Sequence, residues 1–561
     1  MRVDGKPEGL RQSMSWFHTW SGLLLGWLLY AVFFTGTLSY FVDEVNDWMR
    51  PELHVSVPQA DTAEKAVAGM QKLAPDASSW SINLPNERQT AVEATWRPQG
   101  APQGREGTQR AYLDAATGEV LPVRETRGGS FLYRFHFELY AMPRIWGRWI
   151  VGIATLVMFV AILSGVITHK KIFKDFFTFR PRKGQRSWLD AHNATAVLAL
   201  PFHIVITFSG LLLLMTMLMP WGANAVYEGE GQRFNAERRG AMMGAAPAAG
   251  NAQNQTREGE RGGRRAAAEP VALAPMTPML QAAQMQWPQH GVGSITVQNP
   301  NTARATVELR AARTDSLINN RGAAQRMAFD GVTGAAKEAP AQRAPSAVTA
   351  VMNSMVSVHL GRFADPAVRW LLFLAGVVGT VMAGSGLAMW VVKRLPERRK
   401  LGRTPKGHRL VEVLNVAAIG GLSVAVASYF WANRLVPVAT TNRSEAEIHI
   451  FFAVWVLCLL HAVVRPHAKA WLEQMVLAAV GFGLLPLLNV ATGGAGLWQT
   501  LPHGQWSVAG FDLMMWALAA VHAGIAYQLF QRVRAAKPNT AGPDRSAAVP
   551  AHALPVSESK V

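Results

Sequence analysis

Eight runs of apolar residues, each close to the length that carries an α-helix across a bilayer core, leave this chain little choice of fold. They are Trp16–Phe41, Trp149–Thr168, Ala194–Met219, Trp370–Val392, Leu410–Trp431, His449–Val464, Trp471–Val490 and Phe511–Phe530. Half of the 561 residues are hydrophobic, and they are gathered into these runs rather than spread evenly. The sixth run is short and the seventh contains Pro486, so their limits are soft. The pattern predicts a mainly α-helical polytopic membrane protein with about eight transmembrane helices.

The net charge of +18 has a topological origin. Lys170, Lys171, Lys174, Arg180, Arg182, Lys183 and Arg186 follow span two, and Lys393, Arg394, Arg398, Arg399, Lys400, Arg403, Lys406 and Arg409 follow span four. Arg465 and Lys469 follow span six, and Arg532, Arg534 and Lys537 follow span eight. Basic loops stay cytoplasmic, so both termini are expected there and the two long loops on the opposite side. The excess needs no nucleic-acid partner to explain it. The first run follows Lys6 and Arg11, but it is long and lacks a small-x-small site, which favours an uncleaved anchor over a signal peptide. Cys458 is the single cysteine. Intramolecular disulfides are therefore excluded, and without Cys-x-x-Cys-His any haem has to be b-type.

The first part of the chain is a repeat. Each long loop opens with a helix-like stretch (Thr62–Leu73, Met279–Gln286), continues with alternating runs that read as strands (Thr90–Arg97, Thr302–Arg310), and reaches an Asp-x-x-Thr-Gly turn at Asp114–Gly118 and Asp330–Gly334. His136, Pro143, Arg148-Trp149 and Ser164-Gly165 after loop one match His359, Pro366, Arg369-Trp370 and Ser385-Gly386 after loop two, at the same spacings. His18 and Gly36 lie eighteen apart, as do His192 and Gly210. The organisation is a terminus and first span (1–44), a small α+β domain (45–142), span two (143–169), a basic loop (170–191), span three (192–219), a second α+β domain (220–358), span four (359–392), a basic loop (393–409), a four-helix module (410–531) and a tail (532–561). The insertion 228–268 and the tail are polar or Ala/Pro/Ser-rich and are expected to be disordered.

The paired loops, the His-rich span ends and the run Ser164-Gly165-Val166-Ile167-Thr168-His169-Lys170-Lys171-Ile172-Phe173 resemble the PepSY-associated transmembrane proteins of Gram-negative inner membranes. The resemblance covers residues 1 to about 395. It implies PepSY-like periplasmic domains and a link to iron acquisition, and one branch of the family is similar to di-haem reductases of ferric siderophores. The last four spans depart from the short form of the family.

Six histidines stand where haem ligands would be needed, because neutral imidazole is the usual axial donor. His18 and His192 are repeat-equivalent on the cytoplasmic side; His169 closes span two at the same level, and its counterpart in the second repeat is Trp390. His136 and His359 are equivalent on the far side. His203 lies eleven residues beyond His192, about three helical turns, so a straight helix would present both on one face, about 16 Å apart. Pro201 lies just before it and is expected to kink the helix. Helix capping, interface anchoring and hydrogen-bonded packing are the alternatives for these residues. His461 and His522, mid-span in the last module, are open between ligand, proton relay and packing. Arg148 and Arg369 suit either haem propionates or helix anchoring. The Trp-rich span ends read chiefly as an interfacial belt in lipid, and the Met residues around 214–219 as filler.

The leading expectation is a b-type di-haem oxidoreductase. A cytoplasmic haem would be held by some of His18, His169 and His192, and a periplasmic one by some of His136, His203 and His359. Electrons would reduce a ferric chelate, by resemblance a ferric-siderophore, at the periplasmic loops. No dinucleotide or flavin segment is visible, which leaves a quinol or a separate protein as donor. The alternatives are a non-redox PepSY protein that binds or regulates a periplasmic partner, and a transporter with His proton relays.

Overall fold

A computed structural model of the chain describes residues 9–102, 107–168, 178–181, 183–219, 271–313, 325–338, 347–361 and 364–535, with a few single positions between them. The insertion 228–268, His169 and the tail beyond Ala535 lie outside the described residues.

Each expected span coincides with a helix or, for span three, with a bent helix pair. Seven helices among the described residues are long and apolar enough to cross a membrane: Gly26–Trp48, Arg144–Thr168, Pro366–Leu401, Lys406–Leu435, Arg443–Val464, His467–Ala491 and Trp506–Ala535. The helix Leu10–Leu24 leads into the first of them. Span three is a bent pair, Gln185–Leu198 and Leu200–Met215, turned by 67° at the break. Pro201, in the first turn of the second piece, has no N–H to give the preceding turn and its ring crowds that turn's carbonyl. The helix that carries His192 and His203 is therefore not straight, and both residues line one cavity.

The two loop domains are not separate bodies. β1 (Ala77–Asn83), β2 (Val92–Pro98), β3 (Gln109–Leu113) and β4 (Val120–Leu121) come from loop one. β5 (Val292–Gln298), β6 (Thr306–Ala311), β7 (Arg326–Asp330) and β8 (Ala336–Lys337) come from loop two. They form one antiparallel sheet in the order β4-β3-β2-β1-β5-β6-β7-β8. β1 and β5 join the halves, with Ser81 opposite Thr296 at the centre of their register. Pairing these two strands removes an exposed edge from each half. Trp80, Ile82, Ile295 and Val297 are fully buried in one core with Met70 and Ala283 from the helices Thr62–Leu73 and Met276–Gln286. The two Asp-led turns form as expected. Asp114 Oδ1 accepts from the backbone N–H groups of Ala116 and Thr117, Asp330 Oδ1 from those of Val332 and Thr333, and Gly118 and Gly334 take positive φ.

The last four spans are built into the rest. Trp48 at the end of span one stacks on Phe511 at 4.3 Å, and Phe131 packs on Tyr429 and Phe451. Beside these rings lies a buried polar seam. The Arg443–Glu447 pair is fully enclosed, Glu447 also accepts from Asn433 and Thr126, and Trp48 Nε1 donates to Asp512.

Candidate functional site

Each of four histidines lies in the same kind of cradle on a neighbouring helix. His18 Nδ1–H donates to Ala161 O at 2.9 Å, with Ser164 Oγ 3.4 Å away, and a methyl group at Gly165 would stand 3.3 Å from His18 Cε1. His192 Nδ1–H donates to Met382 O at 3.0 Å, Ser385 Oγ lies at 3.3 Å, and Gly386 faces Cε1 at the same 3.3 Å. His136 Nδ1–H donates to Val32 O at 2.7 Å beside Thr35-Gly36. His359 Nδ1 bonds Ser209 Oγ at 2.9 Å, beside Gly210. The pattern is local. A carbonyl one turn before a glycine accepts from Nδ1 of His18, His192 and His136, the serine before the glycine lies beside Nδ1 of His18, His192 and His359, and in all four the missing side chain makes room for the ring. A carbonyl can only accept, so in His18, His192 and His136 the proton sits on Nδ1 and Nε2 keeps the lone pair with which neutral imidazole binds metals.

These cradles bring the rings together in two pairs. His18 faces His192 with ring centres 6.3 Å apart, and His136 faces His359 at the same 6.3 Å. Both pairs join equivalent positions of the two repeats. The eighteen-residue spacing now has a structural meaning: span one carries a ring of one pair (His18) and the floor of the other (Gly36), and span three does the same with His192 and Gly210. At about 1.5 Å per residue, eighteen residues separate the two levels by roughly 27 Å of helix in span one.

A cavity of about 430 Å³ lies at the first pair, lined by His18, His192, Leu29, Phe33, Met158 and His203 among others. That is within the range of small-molecule and cofactor pockets. His203 is almost fully enclosed, meets Phe33 edge-on at 5.8 Å, and its Nε2 has no hydrogen-bond partner among the described residues. It lines the cavity but joins neither pair. Arg148 is paired with Glu138, and Arg369 with Glu44 at 3.1 Å; neither lines this cavity. His461 is bonded to Glu473 at 2.7 Å, and His522 Nδ1–H donates to Leu518 O. No group of three or more metal-binding side chains occurs among the described residues.

The hydroxyl–glycine steps are the cradle residues whose place beside the histidines the sequence did not show. Their repetition was visible, but the histidine each one receives comes from another helix.

Fold and site together define a polytopic membrane protein with an internally repeated set of histidine cradles beneath a shared sheet. The sequence matches the family described as the PepSY-associated TM region over residues 15–393, about two thirds of the chain. The protein belongs to that family. No curated protein matches it. The four-span module lies beyond the matched segment.

Proposed function

We propose that the chain is a bacterial inner-membrane oxidoreductase that carries two b-type haems and passes electrons across the bilayer to reduce ferric iron in a chelate, by resemblance a ferric-siderophore, for iron uptake. The observation that supports this most is the spacing of the two histidine pairs. With a metal–imidazole bond of about 2.0 Å and about 1.15 Å from nitrogen to ring centre, two axial rings on one metal stand about 6.3 Å apart. That spacing recurs in both pairs.

His18 and His192 would hold one haem and His136 and His359 the other. A b-type haem supplies reversible one-electron chemistry, tuned by its ligands and surroundings. The chain's own contributions are specific. The Nδ1–H bonds fix the tautomer and make each imidazole a better donor. The glycines let each ring lie close to its neighbouring helix, and Leu29, Phe33 and Met158 give the first pair an apolar lining. In this reading the basic loops put the His18–His192 pair on the cytoplasmic side and the sheet in the periplasm. Reduction to Fe(II) loosens the grip of hard oxygen chelators, which releases the metal. Electrons would come from a quinol or a separate protein.

The test uses purified full-length protein from cells with ample haem. The reading expects a Soret band and a low-spin bis-imidazole spectrum. It also expects dithionite-reduced protein to be reoxidised anaerobically by a ferric hydroxamate and not by the gallium analogue. Protein without haem would end this reading and favour a non-redox protein that binds a partner through the sheet.

A further inference from the structure

We infer that Lys393 and Arg394 form an acid clamp at the rim of the His18–His192 cavity and take the carboxylates of the macrocycle bound there. This rests on the haem reading above. The cavity is polar at one end. Its depth is walled by Leu29, Phe33, Met158 and Ile162, whereas Lys393 and Arg394 stand at the rim toward the second basic loop. An occupant matched to that lining is apolar over most of its body and anionic along one edge.

Arg394 is built to meet such an edge. Its guanidinium lies 3.8 Å over the Trp390 ring and 5.9 Å from that of Trp20. Indole faces hold the plane of the group and leave its in-plane N–H fork for a carboxylate. Its protein hydrogen bond, Nη1 to Trp390 O, is long at 3.4 Å. Among the described residues no carboxylate comes within ion-pairing distance of Arg394 or Lys393, and Glu397 acts on Arg394 only from farther away. Arg148 and Arg369, the cations that repeat symmetry would nominate, are already paired with Glu138 and Glu44. The clamp therefore breaks the two-fold symmetry: Trp390 occupies the position that His169 holds in the other repeat. It also orients the macrocycle, with its acid edge toward the basic loop and its apolar edge toward His203.

The experiment titrates full-length apo-protein with ferric protoporphyrin as the free diacid and as its dimethyl ester, following the Soret and low-spin bands. A His359→Ala background restricts binding to the cavity in question. The diacid is expected to bind about tenfold or more tightly than the ester, in line with two charge-assisted contacts. Lys393→Gln with Arg394→Gln should abolish that preference while ester binding persists, and Arg394→Lys should keep part of it. Equal affinity of the parent for both porphyrins would overturn the clamp and leave the haem reading intact. The same result with anionic phospholipid retained by the parent and lost in the double variant would assign these cations to lipid headgroups. Full preference in the double variant would also overturn it. Binding of neither porphyrin would remove the haem reading itself.

Discussion

The His18 and His192 rings face each other at 6.3 Å, inclined by 72°, and each is held by a carbonyl and a serine of the span that follows it in its own repeat. Neither ring is placed by its own helix alone. The pair exists because two copies of span–loop–span pack face to face, and the same packing creates the His136–His359 pair at the other level. A duplicated chain thus obtains two equivalent sites from one cradle design.

Loss of one ring from a pair should remove one cofactor. His192→Ala and His359→Ala are each expected to lower the haem content from about two per chain to about one, in line with bis-imidazole ligation. His203→Ala should leave both low-spin spectra in place, since His203 faces no second histidine. Haem content and low-temperature spectra of the three variants check this; loss of a haem in His203→Ala would contradict the pairing.

Glycine substitutions should grade with the space beneath each ring. A Cβ at Gly36 would stand 2.6 Å from both Cε1 and Nδ1 of His136, whereas at Gly165 and Gly386 the nearest ring atom would be 3.3 Å away. Gly36→Ala is therefore expected to displace its histidine and convert one haem to a high-spin or absent state. Gly165→Ala and Gly386→Ala should shift spectra without loss. The high-spin fraction measured by resonance Raman separates these outcomes.

Asn415 ties the four-span module to the first pair. Its Nδ2 donates to Leu387 O at 3.0 Å, and its Oδ1 accepts from Trp27 Nε1 at 2.8 Å. Leu387 adjoins Gly386, the floor beneath His192. Asn415→Leu leaves the buried Leu387 carbonyl and the half-buried Trp27 indole without this partner, a cost of about 1–3 kcal/mol for the buried group. It should weaken haem binding at His18–His192 about tenfold, with little effect at His136–His359. Haem titrations in single-site backgrounds measure both, and equal weakening at the two sites would contradict a positioning role.

Much of this was legible in the chain. Spans were readable because crossing a bilayer demands long apolar helices, and the Asp114 and Asp330 turns because their chemistry is local. The six histidines were visible too, as was the repeat equivalence of His18 with His192 and of His136 with His359. Pairing was not, because His136 is received by Val32 and Gly36, a hundred residues earlier in the sequence. Joining of the two domains through Ser81 and Thr296 was hidden for the same reason: an edge strand carries no mark of its partner. The kink at Pro201 was expected in the sequence, but its size, 67° between the two pieces that carry His192 and His203, was not.

Stability should fall in mild acid through His54. Its Nε2–H donates to Asp47 O at 3.0 Å, and burial, the largest influence, pushes its pKa down from 6.5 to about 4. The unfolded chain takes up the proton first, so stability is complete above pH 6.5 and declines as pH falls toward 4. The loss is no more than about 3 kcal/mol. His54→Gln should flatten this part of the pH dependence of thermal unfolding. An unchanged slope would show that other groups carry it.

The polar seam should be costly to break. Arg443 and Glu447 are fully buried against each other, and Glu447→Gln leaves Arg443 uncompensated. A loss of about 3–5 kcal/mol is expected for such a change. Thermal unfolding of the detergent-purified variant measures it, and an unaltered midpoint would mean that the backbone carbonyls of Glu125, Asn433 and Val436 suffice to hold Arg443 in place.

The central claim is that two facing histidine pairs hold two haems. Its most direct measurement is the haem-to-protein ratio of the purified full-length chain, taken with oxidised and reduced absorption spectra. About two haems per chain are expected, all low-spin and bis-imidazole in both states. A haem-free protein, or one haem unaffected by loss of either pair, would contradict it.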